Sequence, residues 1–258
     1  MSSVLLEIKK GVGVITLNRP EKFNSFNREM ALSMQALLDE CASSHDVRCV
    51  YITGAGKAFS AGQDLSELVG ENSIGLDKIL PEHYNPIITR IRNLQKPVVA
   101  AVNGVAAGAG ANIALCCDIV VAAQSASFIQ AFSKIGLIPD SGGTYFLPRL
   151  IGWQKASALM MLGEKISSAE AEKLGMIFKI FSDETFFDES MQIAYTLAQM
   201  PTKGLAFTKQ ALNCSLNNSL ETQLQTEDQL QQKAGITYDY NEGVQAFLEK
   251  RIPVFKGE

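Results

Sequence analysis

Lys96-Pro-Val-Val-Ala-Ala-Val-Asn-Gly-Val-Ala-Ala-Gly-Ala-Gly-Ala-Asn112 runs without a break into Ile113-Ala-Leu-Cys-Cys117. Lys96-Pro97 ends whatever helix precedes it, because proline brings no N–H to continue one. Val98 to Val102 is a continuous apolar run of strand length, the pattern of a strand covered on both faces. Asn103 to Asn112 reads as a glycine loop, Ile113 to Cys117 as a short buried helix, and Ile119 to Ala122 as the next strand. Strand, loop, helix and strand in that order set the fold class as α/β.

Towards the N-terminus, Val4 to Ile8 and Val12 to Leu17 flank Lys9-Lys10-Gly11 and predict a hairpin. Asn18 to Phe26 is a loop. A helix is expected from about Asn27 to Ser43, with Met30, Leu32, Met34, Leu37 and Leu38 on its apolar side. Cys49 to Thr53 is a short buried strand ended by Gly54, and Lys57-Ala-Phe-Ser-Ala-Gly-Gln-Asp-Leu65 is an earlier glycine loop. Glu67 to about Pro81 has weak periodicity and is expected to be mobile. Asn85 to Leu94 should be helical.

Towards the C-terminus, Gly136-Leu-Ile-Pro-Asp-Ser-Gly-Gly-Thr144 is a turn. Gln154 to Leu162 should be helical, and so should a segment opening at Ser167-Ser-Ala-Glu170 and closing at Gly175. Ile177 to Phe181 is a strand candidate. Helices follow at about 185–199, 203–217, 219–233 and 241–250. The shift near Met200-Pro201 divides the chain into an α/β core, 1–200, and a helical region, 201–258. Leu205, Phe207, Leu212, Leu220 and Leu224 make that region too apolar for a free appendage, so it should pack on the core or on another subunit.

The chain has 258 residues, a formal net charge of -4 and only 19% charged residues. A negative balance argues against nucleic acid as the main partner. The small charged fraction suggests surface buried between subunits. Five cysteines in no metal-binding spacing, with only two histidines, fit a reduced cytoplasmic setting and no zinc site. No secretory signal opens the sequence, and no apolar run is long enough to span a bilayer.

Asp140 is the candidate catalytic group. Pro139 fixes φ before it, Gly142-Gly143 lets the chain fold tightly after it, and Ile135, Leu137 and Ile138 suggest apolar surroundings. A carboxylate on a stiff turn beside apolar surface suits a general base; the same four residues also suit a plain surface turn. Backbone N–H groups of the glycine loops could converge on one carbonyl oxygen and hold negative charge there. Alternatively, Gly108 and Gly110 merely permit close packing. The spacing in Gly104-Val-Ala-Ala-Gly-Ala-Gly110 is wrong for a dinucleotide fingerprint, and no G-x-S-x-G motif occurs. What remains is one carboxylate acting on a polarised carbonyl, which suits proton abstraction beside a thioester.

Jointly, Ile15-Thr-Leu-Asn-Arg-Pro-Glu-Lys-Phe-Asn-Ser25, Lys57 to Leu65, Lys96 to Gly104, Gly136 to Thr144 and Glu242-Gly-Val-Gln-Ala-Phe-Leu-Glu-Lys-Arg251 resemble the crotonase, or enoyl-CoA hydratase/isomerase, superfamily over essentially the whole chain. The resemblance implies a spiral of ββα units with a helical C-terminal region that builds trimers, often paired as hexamers. It implies acyl-CoA thioester substrates and no cofactor beyond the coenzyme A they carry. By family pattern the oxyanion hole is the backbone N–H of Gln63, after Ala61-Gly62, and of Ala109, where most members have glycine. Lys22, Phe23, Ala61, Asp64 and Leu65 match positions lining the coenzyme, and Gly62, Gly108, Gly110 and Phe132 are further expected substrate- or CoA-binding residues. Phe247 and Lys250 match C-terminal positions that reach the coenzyme, in some members from a neighbouring subunit.

The two hydratase glutamates would fall at Asn112 and Phe132. Asp140 instead resembles the aspartate of the dienoyl-CoA isomerase and aryl-CoA branches. This implies an isomerase that converts the ring epoxide of an epoxy-dihydrophenylacetyl-CoA, in phenylacetate breakdown, to a seven-membered oxepin. It also implies movement of a double bond from the 3,4 to the 2,3 position. The alternatives are an isomerase or hydratase of linear acyl chains, as in fatty-acid oxidation, or an inactive CoA-binding subunit.

Overall fold

A computed structural model describes residues 2–69 and 74–258. The hairpin forms as β1 (Val4–Lys9) and β2 (Val12–Leu17), paired antiparallel. Next comes α1 (Arg28–Ser43), whose N-cap Asn27 accepts a hydrogen bond from the Met30 N–H at 2.9 Å. Such a cap is worth about 1 kcal/mol. Met30, Met34 and Leu38 are buried on this helix, but Leu32, expected among them, is 41% exposed. It lies outside the i, i+4, i+8 stripe that the other three define.

Beyond α1 the strands come in pairs: β3 (Cys49–Gly54) with β4 (Ala58–Ser60), β5 (Val98–Val102) with β6 (Val105–Ala107), and β7 (Ile119–Ala123) with β8 (Ser127–Ile129). The first of each pair joins a six-stranded sheet ordered β1-β2-β3-β5-β7-β10, and the second joins a four-stranded sheet ordered β4-β6-β8-β9, with β9 at Lys165–Ser167 and β10 at Lys179–Phe181. Helices follow each pair: α2 (Leu76–Ile79) and α3 (Asn85–Asn93), then α4 (Ala109–Leu115), then α5 (Gly143–Ile151), α6 (Trp153–Leu162) and α7 (Ser168–Lys173). This is the ββα spiral. The strand Val98–Val102 sits between β3 and β7 and is buried along its whole length, as its unbroken apolar run requires.

The second sheet corrects the sequence reading. Both glycine stretches read as loops contain strands, β4 and β6, and α4 begins at Ala109 rather than Ile113. Three-residue strands are too short to show a period. The α5 helix was also not expected; it starts at Gly143 and contains Pro148, both poor helix signals. The segment expected to be mobile is partly ordered: Leu65–Leu68 forms a 3-10 turn, Ile79 is buried, and the chain passes through a wide helical turn at Leu80–Tyr84 into α3. Residues 70–73 lie outside the described residues.

The C-terminal helices are α8 (Phe186–Gln199), α9 (Thr202–Ser215), α10 (Leu220–Gly235) and α11 (Tyr238–Glu249). Lys209 anchors α9 to the core. Its buried Nζ donates to the Ile91 and Lys96 carbonyls at 2.7 and 3.3 Å and pairs with the Asp118 carboxylate at 2.8 Å. Leu205 and Phe207 are half-buried, whereas Leu212, Leu220 and Leu224 stay exposed on the single chain. Among the described residues, no helix is long and apolar enough to cross a membrane.

Candidate active site

The Asp140 turn is a turn, and it is also the floor of a pocket. Ser141 and Gly142 both take positive φ, at 51° and 74°, so the chain reverses there before α5 starts. The Gly143 N–H closes the turn on the Asp140 carbonyl at 2.8 Å. Gly143 must lack a side chain, because a Cβ there would lie 2.4 Å from Asn112 Nδ2. That same Nδ2 donates to the Asp140 carbonyl at 2.9 Å, and Gln130 Nε2 donates to Asn112 Oδ1 at 2.7 Å. Asn112 is thus a fully buried clamp on the backbone of Asp140.

The Asp140 carboxylate accepts a hydrogen bond from Ser141 Oγ at 2.8 Å. Burial raises its pKa above the ordinary aspartate value, and the Ser141 hydroxyl and a backbone N–H offset only part of that rise. It lines a cavity of about 150 Å³ with Ala61, Gln63, Leu65, Tyr84, Gly108, Ala109 and Phe132. Among the described residues the remaining wall is Leu68, Leu76, Ile79, Ala131, Ile135 and Leu137, all apolar. Phe132 is 6% exposed. Its ring packs over Gly108, where a Cβ would stand 3.7 Å away.

Two of the residues lining this cavity, Gln63 and Ala109, have backbone N–H groups left free by the fold among the described residues. The Gly62 carbonyl accepts from the Phe26 N–H at 2.7 Å. In a trans peptide the N–H points opposite to the C=O, so the Gln63 N–H faces away from Phe26. Ala109 is the first residue of α4, and the Gly108 carbonyl accepts the first helical bond, from the Asn112 N–H at 3.1 Å. The Ala109 N–H therefore has no partner within its helix. Among the described residues neither N–H has an acceptor. A Cβ on Gly62 would lie 3.3 Å from Ala109 N, so the two loops come together backbone to backbone. Gly62 and Gly108 permit this with φ of 86° and 53°; Ala109 is not among the positive-φ residues, so its side chain is compatible with the site. Two converging N–H groups can hold an oxygen on which negative charge develops.

The cavity thus brings together Ala61, Gln63, Leu65, Gly108, Ala109, Phe132 and Asp140, with Gly62 directly behind. Other expected site residues lie elsewhere. Gly110 packs α4 onto β4, where a Cβ would meet the Ser60 carbonyl at 2.6 Å. Asp64 is held by the fold: it pairs with Arg19 at 2.9 Å and caps the following turn through the Ser66 N–H at 3.2 Å. Burial pushes its pKa up, but the bonds from Ser66 and Arg19 outweigh that and hold it below the usual value. Lys22 ends a 3-10 turn outside the cavity, and the neighbouring Phe23 carbonyl accepts from the Ala61 N–H at 2.9 Å. Phe247, 83% exposed, lines a different cleft with Pro201, Gly204 and Tyr240; Lys250 caps the end of the same helix.

Sequence reasoning missed Tyr84 and Gln130. Tyr84 lies in the wide helical turn, is buried on the cavity wall, and donates its hydroxyl to Gln63 Oε1 at 2.7 Å. Neither residue sits in a motif or a period that could have marked it.

Comparison with known proteins follows the same lines. The enoyl-CoA hydratase/isomerase family model matches residues 7–258. The chain is 47% identical to the 1,2-epoxyphenylacetyl-CoA isomerase of Escherichia coli K12, with both chains covered completely. It is 44% identical to a Rhodobacter capsulatus protein named "probable enoyl-CoA hydratase", over 99% of this chain and 98% of that one. The crystal structure of enoyl-CoA hydratase from Bacillus anthracis superposes with a TM-score of 0.92 at 34% identity, covering 99% of this chain and all of the other. With the ββα spiral, the cavity and matches of this extent, the chain belongs to the enoyl-CoA hydratase/isomerase family of enzymes.

Proposed function

We propose that the protein is an acyl-CoA isomerase in which ionised Asp140 moves a proton while the Gln63 and Ala109 N–H groups hold the thioester oxygen. The observation that carries this reading is that, among the described residues, Asp140 is the one carboxylate lining an apolar cavity, with Phe132 on its wall. Asp140 takes the proton from the carbon beside the thioester carbonyl. The electron pair left behind delocalises onto the oxygen, where the two N–H groups stabilise it. A proton then returns further along the conjugated system. Nothing is added and nothing leaves, so the net reaction is an isomerisation and needs no cofactor beyond the coenzyme A of the substrate.

The name of the E. coli relative supplies the substrate proposal: the ring epoxide of epoxyphenylacetyl-CoA, rearranged to an oxepin-CoA, with the Δ3 to Δ2 shift of enoyl-CoA thioesters as the same proton movement on a linear chain. An apolar cavity suits the ring and disfavours ordered water. Hydration needs a second acid–base group to hold and activate water, and such a group is worth about 10²–10⁴-fold. Double-bond migration should therefore exceed crotonyl-CoA hydration by at least about 10²-fold in kcat/KM. Comparable rates for the two reactions would contradict the isomerase reading and favour a linear-chain hydratase.

Assembly into trimers, singly or paired, belongs to the same proposal, with 1–200 as the core and 201–258 as the assembling region. It is supported by Leu212, Leu220, Phe247 and Ile252, which are 62%, 74%, 83% and 88% exposed on one chain. Apolar exposure on that scale marks an interaction surface. Sedimentation should find no stable monomer at micromolar concentration. A cytoplasmic location is also proposed, and the five unpaired thiols fit a reducing compartment.

A further inference from the structure

Three contacts hold the side-chain amide of Gln63, and one of them comes from a residue with no assigned role. Gln63 Nε2 faces the Glu67 carboxylate at 3.2 Å and the Asp64 carbonyl at 3.2 Å. Both partners are acceptors only, so the amide nitrogen must lie on that side and Oε1 must face Tyr84. Tyr84 therefore donates, at 2.7 Å. Glu67 is held in turn by the Arg28 N–H, at 2.9 and 3.1 Å to its two oxygens. Tyr84 is itself enclosed: it is 1% exposed and packs edge-on against Phe26 with ring centroids 5.9 Å apart. The Phe26 N–H holds the peptide that carries the Gln63 N–H, through the Gly62 carbonyl.

Gly62, at φ 86°, is the soft point of this arrangement. A glycine peptide can rotate where another residue could not, and rotation would turn a carbonyl towards the cavity in place of the N–H. The Phe26 bond opposes that rotation from the backbone side, and the bonds to Tyr84 and Glu67 oppose it from the side chain.

We propose that Tyr84 is a positioning residue for the reaction: through its hydroxyl bond to Gln63 Oε1 it keeps the Gln63 N–H aimed at the thioester oxygen. The proposal rests on the isomerase reading above. It gives Tyr84 no part in proton transfer, because its hydroxyl proton is committed to Gln63.

Tyr84→Phe keeps the ring and its packing and removes only the hydroxyl. The test is carried out on the full-length protein with phenylacetyl-CoA labelled with ¹³C at the thioester carbonyl, followed by infrared difference spectroscopy, alongside Δ3-enoyl-CoA kinetics. The wild type should shift the carbonyl band below its position in buffer. In Tyr84→Phe the band should move back towards the free value, and kcat should fall about 5–30-fold, the range for one such hydrogen bond, with KM nearly unchanged. Gln63→Leu removes the acceptor, so in that background Tyr84→Phe should have no further effect on kcat. A purely structural tyrosine would lower thermal stability and leave the band where it was. An unmoved band and unchanged kcat in the folded variant overturn the proposal alone. A wild-type protein that shifts no band and moves no double bond overturns the isomerase reading and the proposal with it.

Discussion

Asp140→Asn should lose about 10²–10⁴-fold in kcat, for both double-bond migration and ring-epoxide turnover, while acyl-CoA affinity stays close to wild type. The substitution keeps the shape of the side chain and deletes only its basicity. The clamp on Asp140 acts on its backbone carbonyl, through Asn112 and the Gly143 N–H, so the turn should survive. Stability should move in the opposite direction. Burial raises the Asp140 pKa above 3.8. A carboxyl raised in this way favours the fold below its unfolded pKa, and that contribution is lost as pH rises through the folded pKa. At neutral pH the ionised group therefore costs stability, and the asparagine variant should unfold at higher denaturant than wild type. The gap should close in acid, where the aspartate is protonated. The acid limb of the wild-type kcat profile should accordingly lie above the ordinary aspartate range. Near wild-type turnover in the folded variant would return Asp140 to the status of a turn residue.

Ala109→Pro tests the other half of the chemistry, with an expected loss of about 10²–10³-fold in kcat. Ala109 is the first residue of α4, a position where proline is favoured because the N–H there has no helical partner. The change removes one donor from the cavity and breaks no hydrogen bond of the fold, since that N–H has no acceptor among the described residues. Far-UV circular dichroism and the unfolding midpoint should stay near wild type. Ala109→Gly retains the N–H and serves as the control; it should keep most of the activity. If proline and glycine behave alike in kcat, the Ala109 N–H does not stabilise charge.

Legibility in the sequence followed the length and pattern of each element. The hairpin, α1, Val98–Val102 and the C-terminal helices carry several residues of period or unbroken apolarity, and each formed close to where it was expected. The second sheet did not show, because strands such as Ala58–Ser60 and Val105–Ala107 are three residues long and lie within glycine-containing stretches. Asp140 stood out through its proline and double glycine, although the reason for Gly143, the close approach of Asn112, exists only in three dimensions. Asp64 shows the converse. It matches a family position, yet Arg19 and Ser66 occupy its carboxylate. Tyr84 reaches Gln63 across 21 positions of sequence, a contact that no local pattern encodes.

The most direct test of a proton moved by Asp140 is exchange in deuterated water. Wild-type protein mixed with phenylacetyl-CoA should place deuterium on the carbon beside the thioester carbonyl, read by mass spectrometry, and Asp140→Asn should reduce that rate to near the solution background. Exchange that continues undiminished in the folded Asp140→Asn variant, or no exchange in the wild type, would contradict it.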